Sequence, residues 1–495
     1  MSSPQCIDVL IVGGGVGGIC SAIKLQQAGF SVLIVEKGPG FGGTWRWNTY
    51  PGCGCDVVSL NYHFSFEPKF DWKQKFAKQP EILEYFEAVA KKYGLYDCAH
   101  FDTEVVSCHF SPGSNMWLAE LKHGDKMRSV QASSVIAATG LLHNPTWPSI
   151  EGLESFKGAR FHANQWDHSV DLQGKRVAVI GNGATATQFV PHLAEKASQL
   201  TVCQRTPNYY MCGPDSENVP TPAWQKWLYT RIPLLGKLQR LSVFGVAEVF
   251  LKFFGTNLLR KFLLHRLSEI VKDPELRRKL TPDYPVGFKR VLIGESNSFL
   301  RALQKPNVKL ETAGIVRVVE QGIETKSGVI EADVLICSTG FSTTSYVAPM
   351  KVECGDADLQ SYWKTTPRAY LGMVVPGFPN FFLIYGPNSN LGHNSIIFMI
   401  ECQVNYLVQL LKTKRKKQAA TVQVREDVTR GFNAKLQGEL ADSVWAVGKG
   451  NKSWYMNDQG LITQNWSGTC MRYWWQTLWP RTQDFDWGTA GQSAL

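Results

Sequence analysis

Gly13, Gly15 and Gly18 follow the apolar run from Asp8 to Val12 and precede the amphipathic stretch "ICSAIKLQQAG". A strand entering Gly-x-Gly-x-x-Gly and leaving into a helix makes a phosphate cradle. The first glycine permits the tight turn, the second lets backbone approach a pyrophosphate, and the third lets helix and strand pack closely. Glu36 ends the next apolar strand, "SVLIVEK", at the offset where a carboxylate takes the ribose hydroxyls of a dinucleotide. The pattern returns in "KRVAVIGNGATATQFVPHL", with Gly181, Gly183 and Ala186 in the three positions. Here the following strand, "LTVCQRTP", carries Gln204 at the offset of the acid, and then Arg205 and Thr206. A carboxylate would repel a ribose 2′-phosphate, whereas an amide followed by a guanidinium accepts it. The second cradle is therefore expected to prefer NADPH to NADH.

The elements around these turns imply an α/β fold with two Rossmann-like dinucleotide-binding domains, the second inserted into the first. Two further apolar strands end in small residues, "SSVIAATG" at Ala138, Thr139 and Gly140, and "ADVLICSTGF" at Thr339 and Gly340. They flank the second cradle and mark where the chain passes between domains beside a cofactor. The expected division is 1–145 for the first part of one domain, 152–335 for the inserted one, and 336–495 for the remainder. Within the inserted domain, about 214–285 is apolar at helical spacing with basic residues interleaved, which predicts a helical insertion. Core-facing helices capping the active site would give such a stripe, and so would a basic amphipathic segment making peripheral contact with a membrane; the cap is the plainer reading.

The composition, 44% hydrophobic and 19% charged over 495 residues, is that of a large globular protein. Its net charge of +10 suits a protein that holds two anionic dinucleotides, and no nucleic acid is needed to account for it. The basic run from Lys412 to Lys417 follows an apolar segment and reads as the solvated end of a helix. The 12 cysteines show neither a zinc spacing nor a disulfide framework, and no metal site is expected. Met1 leads into a strand with no charged leader or cleavage site, so a cytoplasmic chain with free thiols is expected.

Between the two cradles lies "FKGARFHANQWDH", in which Phe156, Gly158, His162, Trp166 and Asp167 give Phe-x-Gly-x-x-x-His-x-x-x-Trp-Asp. With this stretch, the sequence resembles the class B flavoprotein monooxygenases, and among them the type I Baeyer–Villiger monooxygenases, over nearly its whole length. A second matching signature is "GGTWRWNTYPGCGCD", with Gly42, Gly43, Trp45, Tyr50, Pro51, Gly52 and Asp56. The resemblance implies FAD in the first cradle and NADPH in the second. It implies insertion of one oxygen atom from O2 next to the carbonyl of a ketone or other small hydrophobic substrate, through a flavin C4a-peroxide. It places Gly43, Thr44, Trp45 and Asp56 near the flavin, and pairs Asp56 with a catalytic arginine, best matched by Arg290 in "YPVGFKRVL", with Lys289 as a second contact to the 2′-phosphate. His162 would act in domain movement and cofactor positioning rather than in proton transfer.

In the last third, the resemblance brings Asn388 or His393 toward the flavin ring and Trp454 toward the nicotinamide and substrate. After Trp454 the chain departs from the family's pattern and reads "NDQGLITQNW". The same cofactors would also serve oxidation of sulfur or nitrogen, and Trp166 favours the ketone chemistry by resemblance. A disulfide reductase would need a redox dithiol, for which the "CGC" at Cys53 and Cys55 has the wrong spacing.

Overall fold

A computed structural model of the chain describes residues 5–213, 217–293, 295–342, 344–448, 450 and 453–489. Two parallel cores dominate it. In the first sheet Gln5–Val12 lies between Val32–Val35 and Lys126–Ala137, parallel to both. Lys126–Ala137 continues on its other edge into an antiparallel meander with Met116–His123 and Glu104–Ser111. The second sheet is parallel throughout, in the order Val308–Glu311, Gln199–Cys203, Arg176–Ile180, Val334–Cys337, Ala159–His162. Val32–Val35 and Val334–Cys337 are buried along their whole length, as strands covered on both faces must be.

The chain returns to the first sheet with Lys351–Cys354, which pairs with Glu104–Ser111, and Phe381–Leu383, which pairs with Lys126–Ala137. Ile336 sits in mid-strand in the second sheet, fully buried, so the passage back begins after Cys337. Both crossings lie side by side: Thr146 N–H donates to the Gly340 carbonyl at 2.9 Å, and Thr339 Oγ1 donates to the Thr146 carbonyl at 2.5 Å.

Ile396–Lys416 is a long helix packed against Val16–Gln27. It ends in the basic run, but not wholly in solvent. Lys414 is buried and donates to Ser133 Oγ at 3.0 Å, and burial pulls its ammonium down to about 8.

The insertion consists of the helices Ala223–Arg231, Pro233–Phe250, Asn257–Ile270 and Pro274–Leu280. Asn257–Ile270 buries Leu259, Leu263 and Leu267, and Pro274–Leu280 buries Leu280, but the apolar stripe of the first two helices does not face a core as a cap would require. Ala223–Arg231 buries no residue and Pro233–Phe250 buries only Gly236. No single helix among the described residues is long and apolar enough to cross a membrane.

Candidate active site

The carboxyl ends of the parallel strands of both sheets open on one cavity of about 1410 Å³. Residues that immediately follow strands line it: Gly13 after Val12, Ala138 after Ala137, Gly181 after Ile180, Gln204 after Cys203 and Ser338 after Cys337. This is where open parallel sheets bind ligands. The volume exceeds the ~300–1,000 Å³ usual for a single small-molecule pocket, which suits two dinucleotides.

At the first turn, Gly13 has φ +107°, and a Cβ there would lie 2.6 Å from the Ala138 carbonyl oxygen. Gly43 has φ +52°, and its Cβ would lie 2.7 Å from the Gly15 Cα, so both chains require glycine to pass. The helix Val16–Gln27 starts at Gly15 with no side-chain cap and no acid in its first turn; Ala184–Leu193 starts the same way at Gly183. Two helix N-termini thus present unused N–H groups to the cavity, a fit for pyrophosphates. Glu36 is buried and lines the cavity while its carboxylate accepts from Gly14 N–H at 2.6 Å and Gly38 N–H at 2.8 Å. Thr44, Trp45, Thr139 and Gly140 also face the cavity. Gly18 and Ala186 do not: a side chain on Gly18 would strike the Gly13 carbonyl, and Ala186 is fully buried. Their part is helix–strand packing.

At the second turn, Arg205, Thr206 and Lys289 line the same cavity. Burial, with the Arg205 charge nearby, pulls the Lys289 ammonium down to about 8. Asp283 acts on Lys289 in the opposite sense but does not offset burial and Arg205, so the two cations still suit an incoming anion. Gln204 is engaged within the protein, accepting from Asn182 Nδ2 at 2.8 Å and donating to the Lys279 carbonyl at 2.7 Å.

Between the two cradles Arg290 and Asp56 form a bidentate pair, Nε to Oδ2 at 2.7 Å and Nη2 to Oδ1 at 2.6 Å. Burial works against the Arg290 charge, and Asp56 more than offsets it, so the guanidinium is held above its ordinary range. Trp454 lines the cavity and its ring meets Tyr455 at 5.2 Å. Tyr455 is buried beside Arg290, and Tyr385 donates to Asn390 Oδ1 at 2.7 Å in the cavity wall. Sequence reasoning missed both tyrosines, because their proximity to Arg290 arises only on folding.

Asn388 and His393 do not reach the cavity; Asn390, Leu391 and Asn394 do. Asn388 is turned away to donate to the Ile462 and Asn465 carbonyls at 2.7 and 3.1 Å. His393 meets Glu248 of the insertion at 3.0 Å. The ligand-type atoms of Glu248, His393 and Cys470 lie within 4.8 Å of one another, but protein groups take up the carboxylate: the His393 ring, Asn394 Nδ2 at 2.9 Å and Cys470 N–H at 2.9 Å.

The five residues from Phe156 to Asp167 stand outside the cavity. Phe156 packs under the second sheet, and a Cβ on Gly158 would come within 2.7 Å of the Phe156 ring. His162 ends the strand Ala159–His162; its Nδ1 accepts from Asn164 N–H at 3.2 Å, and burial pulls the imidazole down to about 4, so it is neutral. Asn164 in turn donates to Asn48 Oδ1 at 3.1 Å, beside the turn that carries Trp45. Trp166 packs on Phe189, whose ring also meets Tyr50. Asp167 is exposed and holds Ser169. The segment thus bolts the edge strand Ala159–His162 of the second sheet to the loop of the first cradle. Tyr50, which belongs to the second signature, donates to Gln188 Oε1 at 2.9 Å; its partners in the bolt, Asn48, Asn164 and Gln188, carry no signal of their own in the sequence. Cys53 and Cys55 are free buried thiols, and burial pushes Cys53 up to about 12, which does not make a redox dithiol.

Residues 7–232 match the flavin-binding monooxygenase-like family. A Baeyer–Villiger monooxygenase of Pseudomonas aeruginosa is 39% identical, over 94% of this chain and 88% of that protein. An FAD-binding monooxygenase of Aspergillus niger is 37% identical over 98% and 83% of the two chains. Among solved structures, OTEMO in complex with FAD and NADP superposes with a TM-score of 0.86 at 26% identity, covering 98% of this chain and all of that one. With this likeness spanning both sheets and the cavity between them, the chain belongs to the Baeyer–Villiger branch of the flavin-binding monooxygenases.

Proposed function

We propose that the protein uses NADPH and O2 to insert one oxygen atom beside the carbonyl of a small hydrophobic ketone, giving an ester or lactone. The observation that supports this most is the Asp56–Arg290 pair, set in one cavity between two uncapped helix N-termini. FAD, held by the first cradle with Glu36, Gly43, Thr44, Trp45, Thr139 and Gly140 around it, supplies the redox chemistry and the site where O2 is activated. Arg205, Thr206 and Lys289 bind the NADPH 2′-phosphate, with Gly181 and Gly183 at its pyrophosphate and Trp454 at the nicotinamide end. In the same reading, residues 1–145 and the chain after Cys337 form the FAD-binding domain, and 152–337 the NADPH-binding domain, the boundary expected at 336 moving to the end of the strand Val334–Cys337.

Arg290 carries the catalytic role. Its charge is permanent at any working pH, so it always offers N–H donors to an oxyanion developing on the substrate carbonyl. Asp56 engages two of its nitrogens and leaves the guanidinium no freedom to turn away. Tyr455 and Tyr385 stand close to the guanidinium and form part of the wall around it. His162 moves no proton; it fixes the strap between the domains.

The test is Arg290→Ala in the FAD-loaded protein. Ester formation should fall by about 10²–10³-fold or more, the loss seen when one oxyanion donor is removed, while FAD content and NADPH-dependent flavin reduction persist. Ester formation at the native rate would remove Arg290 from the mechanism.

A further inference from the structure

About half of the large apolar side chains exposed among the described residues lie between Trp224 and Phe262, all in the helical insertion. The helix Pro233–Phe250 is inverted relative to an ordinary surface helix. Its inward side carries Gly236 against the Phe70 ring, Arg240 donating to the His63 carbonyl, Phe244 against Phe398, and Glu248 on His393. These residues recur every four positions, along one stripe. Its outward side carries Leu234, Leu235, Leu238, Leu241, Val246 and Val249, exposed by 37% to 68%. At about 3.6 residues per turn these six occupy one continuous arc with no charge in it. Charge inside and leucine outside is the arrangement of a helix whose outer neighbour is not water. On the preceding helix, Ala223–Arg231, Trp224 and Trp227 stand three residues apart, 66% and 63% exposed.

The charge pattern says what kind of neighbour this is. From Asn218 to Ser268 the only acid is Glu248, and it is turned inward, while the same stretch carries Lys226, Arg231, Lys237, Lys252 and Lys261. A second copy of the chain joined through this face by a two-fold axis would set these cations against themselves. An anionic lipid surface meets both features, taking leucines and tryptophans into the acyl boundary and pairing lysines and arginines with headgroups. The helices Pro233–Phe253 and Asn257–Ile270 bend by 105° to each other, and neither spans a bilayer alone. We infer that the insertion docks the enzyme in the plane of an anionic membrane leaflet through the outward face of Pro233–Phe250, with Trp224 and Trp227 at the headgroup level.

The test uses the full FAD-loaded chain and vesicles of phosphatidylcholine, alone or mixed with phosphatidylserine, separated by sedimentation. The native protein should pellet with the phosphatidylserine vesicles, less with phosphatidylcholine alone, and less in high salt. The variant Leu234→Ser/Leu238→Ser/Leu241→Ser should bind at least about tenfold more weakly, since each leucine no longer buries its side chain in the bilayer. The variant Lys237→Gln/Lys252→Gln should lose about fivefold for each lysine removed, on the phosphatidylserine vesicles only. Both should oxidise NADPH at the native rate in vesicle-free buffer, which shows that they are folded. Native protein that stays in the supernatant with both vesicle types overturns the inference, as does equal binding by the leucine variant. A stable dimer that dissociates on Leu238→Ser, without vesicle binding, gives the face to a second copy.

Discussion

Lys289 is the residue whose state should be read most directly in solution. Burial and the neighbouring Arg205 hold its ammonium down to about 8 before any phosphate arrives. A bound 2′-phosphate favours the protonated form, so NADPH binding should take up a proton near pH 8 and weaken as the pH rises through it. NADH, which lacks that phosphate, should show no such dependence. Titration of both cofactors below and above pH 8 checks this, and Lys289→Met should flatten the NADPH curve. Arg205→Ala should weaken NADPH by about 10–100-fold, the worth of one charge-assisted hydrogen bond to an anion, and leave NADH nearly unchanged; equal losses for both would contradict the 2′-phosphate assignment. Gly13, Glu36 and Arg205 were legible in the sequence because backbone geometry and anion charge demand those residue types at those offsets, and Gly43 through the family signature alone. Tyr455, Tyr385 and Asn164 were not, since each owes its place to a partner distant in the chain.

At the scale of elements, the joint between the insertion and the cavity wall is Glu248. Burial raises its carboxyl, but the hydrogen bonds from His393, Cys470 and Asn394 outweigh this and hold it down at about 2. A carboxylate held below its ordinary range stabilises the fold at pH values above that range, and the contribution is lost as pH falls toward the lowered value. Glu248→Ala should therefore cost about 2–3 kcal/mol at neutral pH, with the gap to the native protein closing in acid; thermal unfolding at two pH values measures it. An equal gap at both would mean that packing rather than charge makes the joint. Helical spacing alone announced the insertion but could not say which side faces the protein. Gly236, Arg240, Phe244 and Glu248 share a stripe that sequence reading would assign to solvent, because two of the four are charged. The leucines it would assign to the core lie outside. His393 was misplaced for a related reason: the loop in which it sits does border the cavity, through Asn390, Leu391 and Asn394, but its own ring is drawn back by Glu248.

For the whole molecule, the arrangement amounts to the parallel strands of one mixed and one wholly parallel sheet aimed at one cavity, with a strap of packed residues from Phe156 to Trp166 between them. The doubled strand–turn–helix pattern made the two sheets readable from the chain, whereas the order of their strands and the side-by-side crossings at Thr146 and Gly340 depend on pairings between remote segments. The central claim is that this cavity joins NADPH oxidation to oxygen insertion beside a ketone carbonyl. The most direct measurement supplies the FAD-loaded enzyme with NADPH, a panel of cyclic and linear ketones and oxygen-18 gas, and follows products by mass spectrometry. The account predicts an ester or lactone bearing one labelled oxygen for each NADPH consumed. Label appearing only in sulfoxide or N-oxide products from parallel sulfide and amine substrates, or NADPH consumed with hydrogen peroxide as the sole product across the panel, would contradict it.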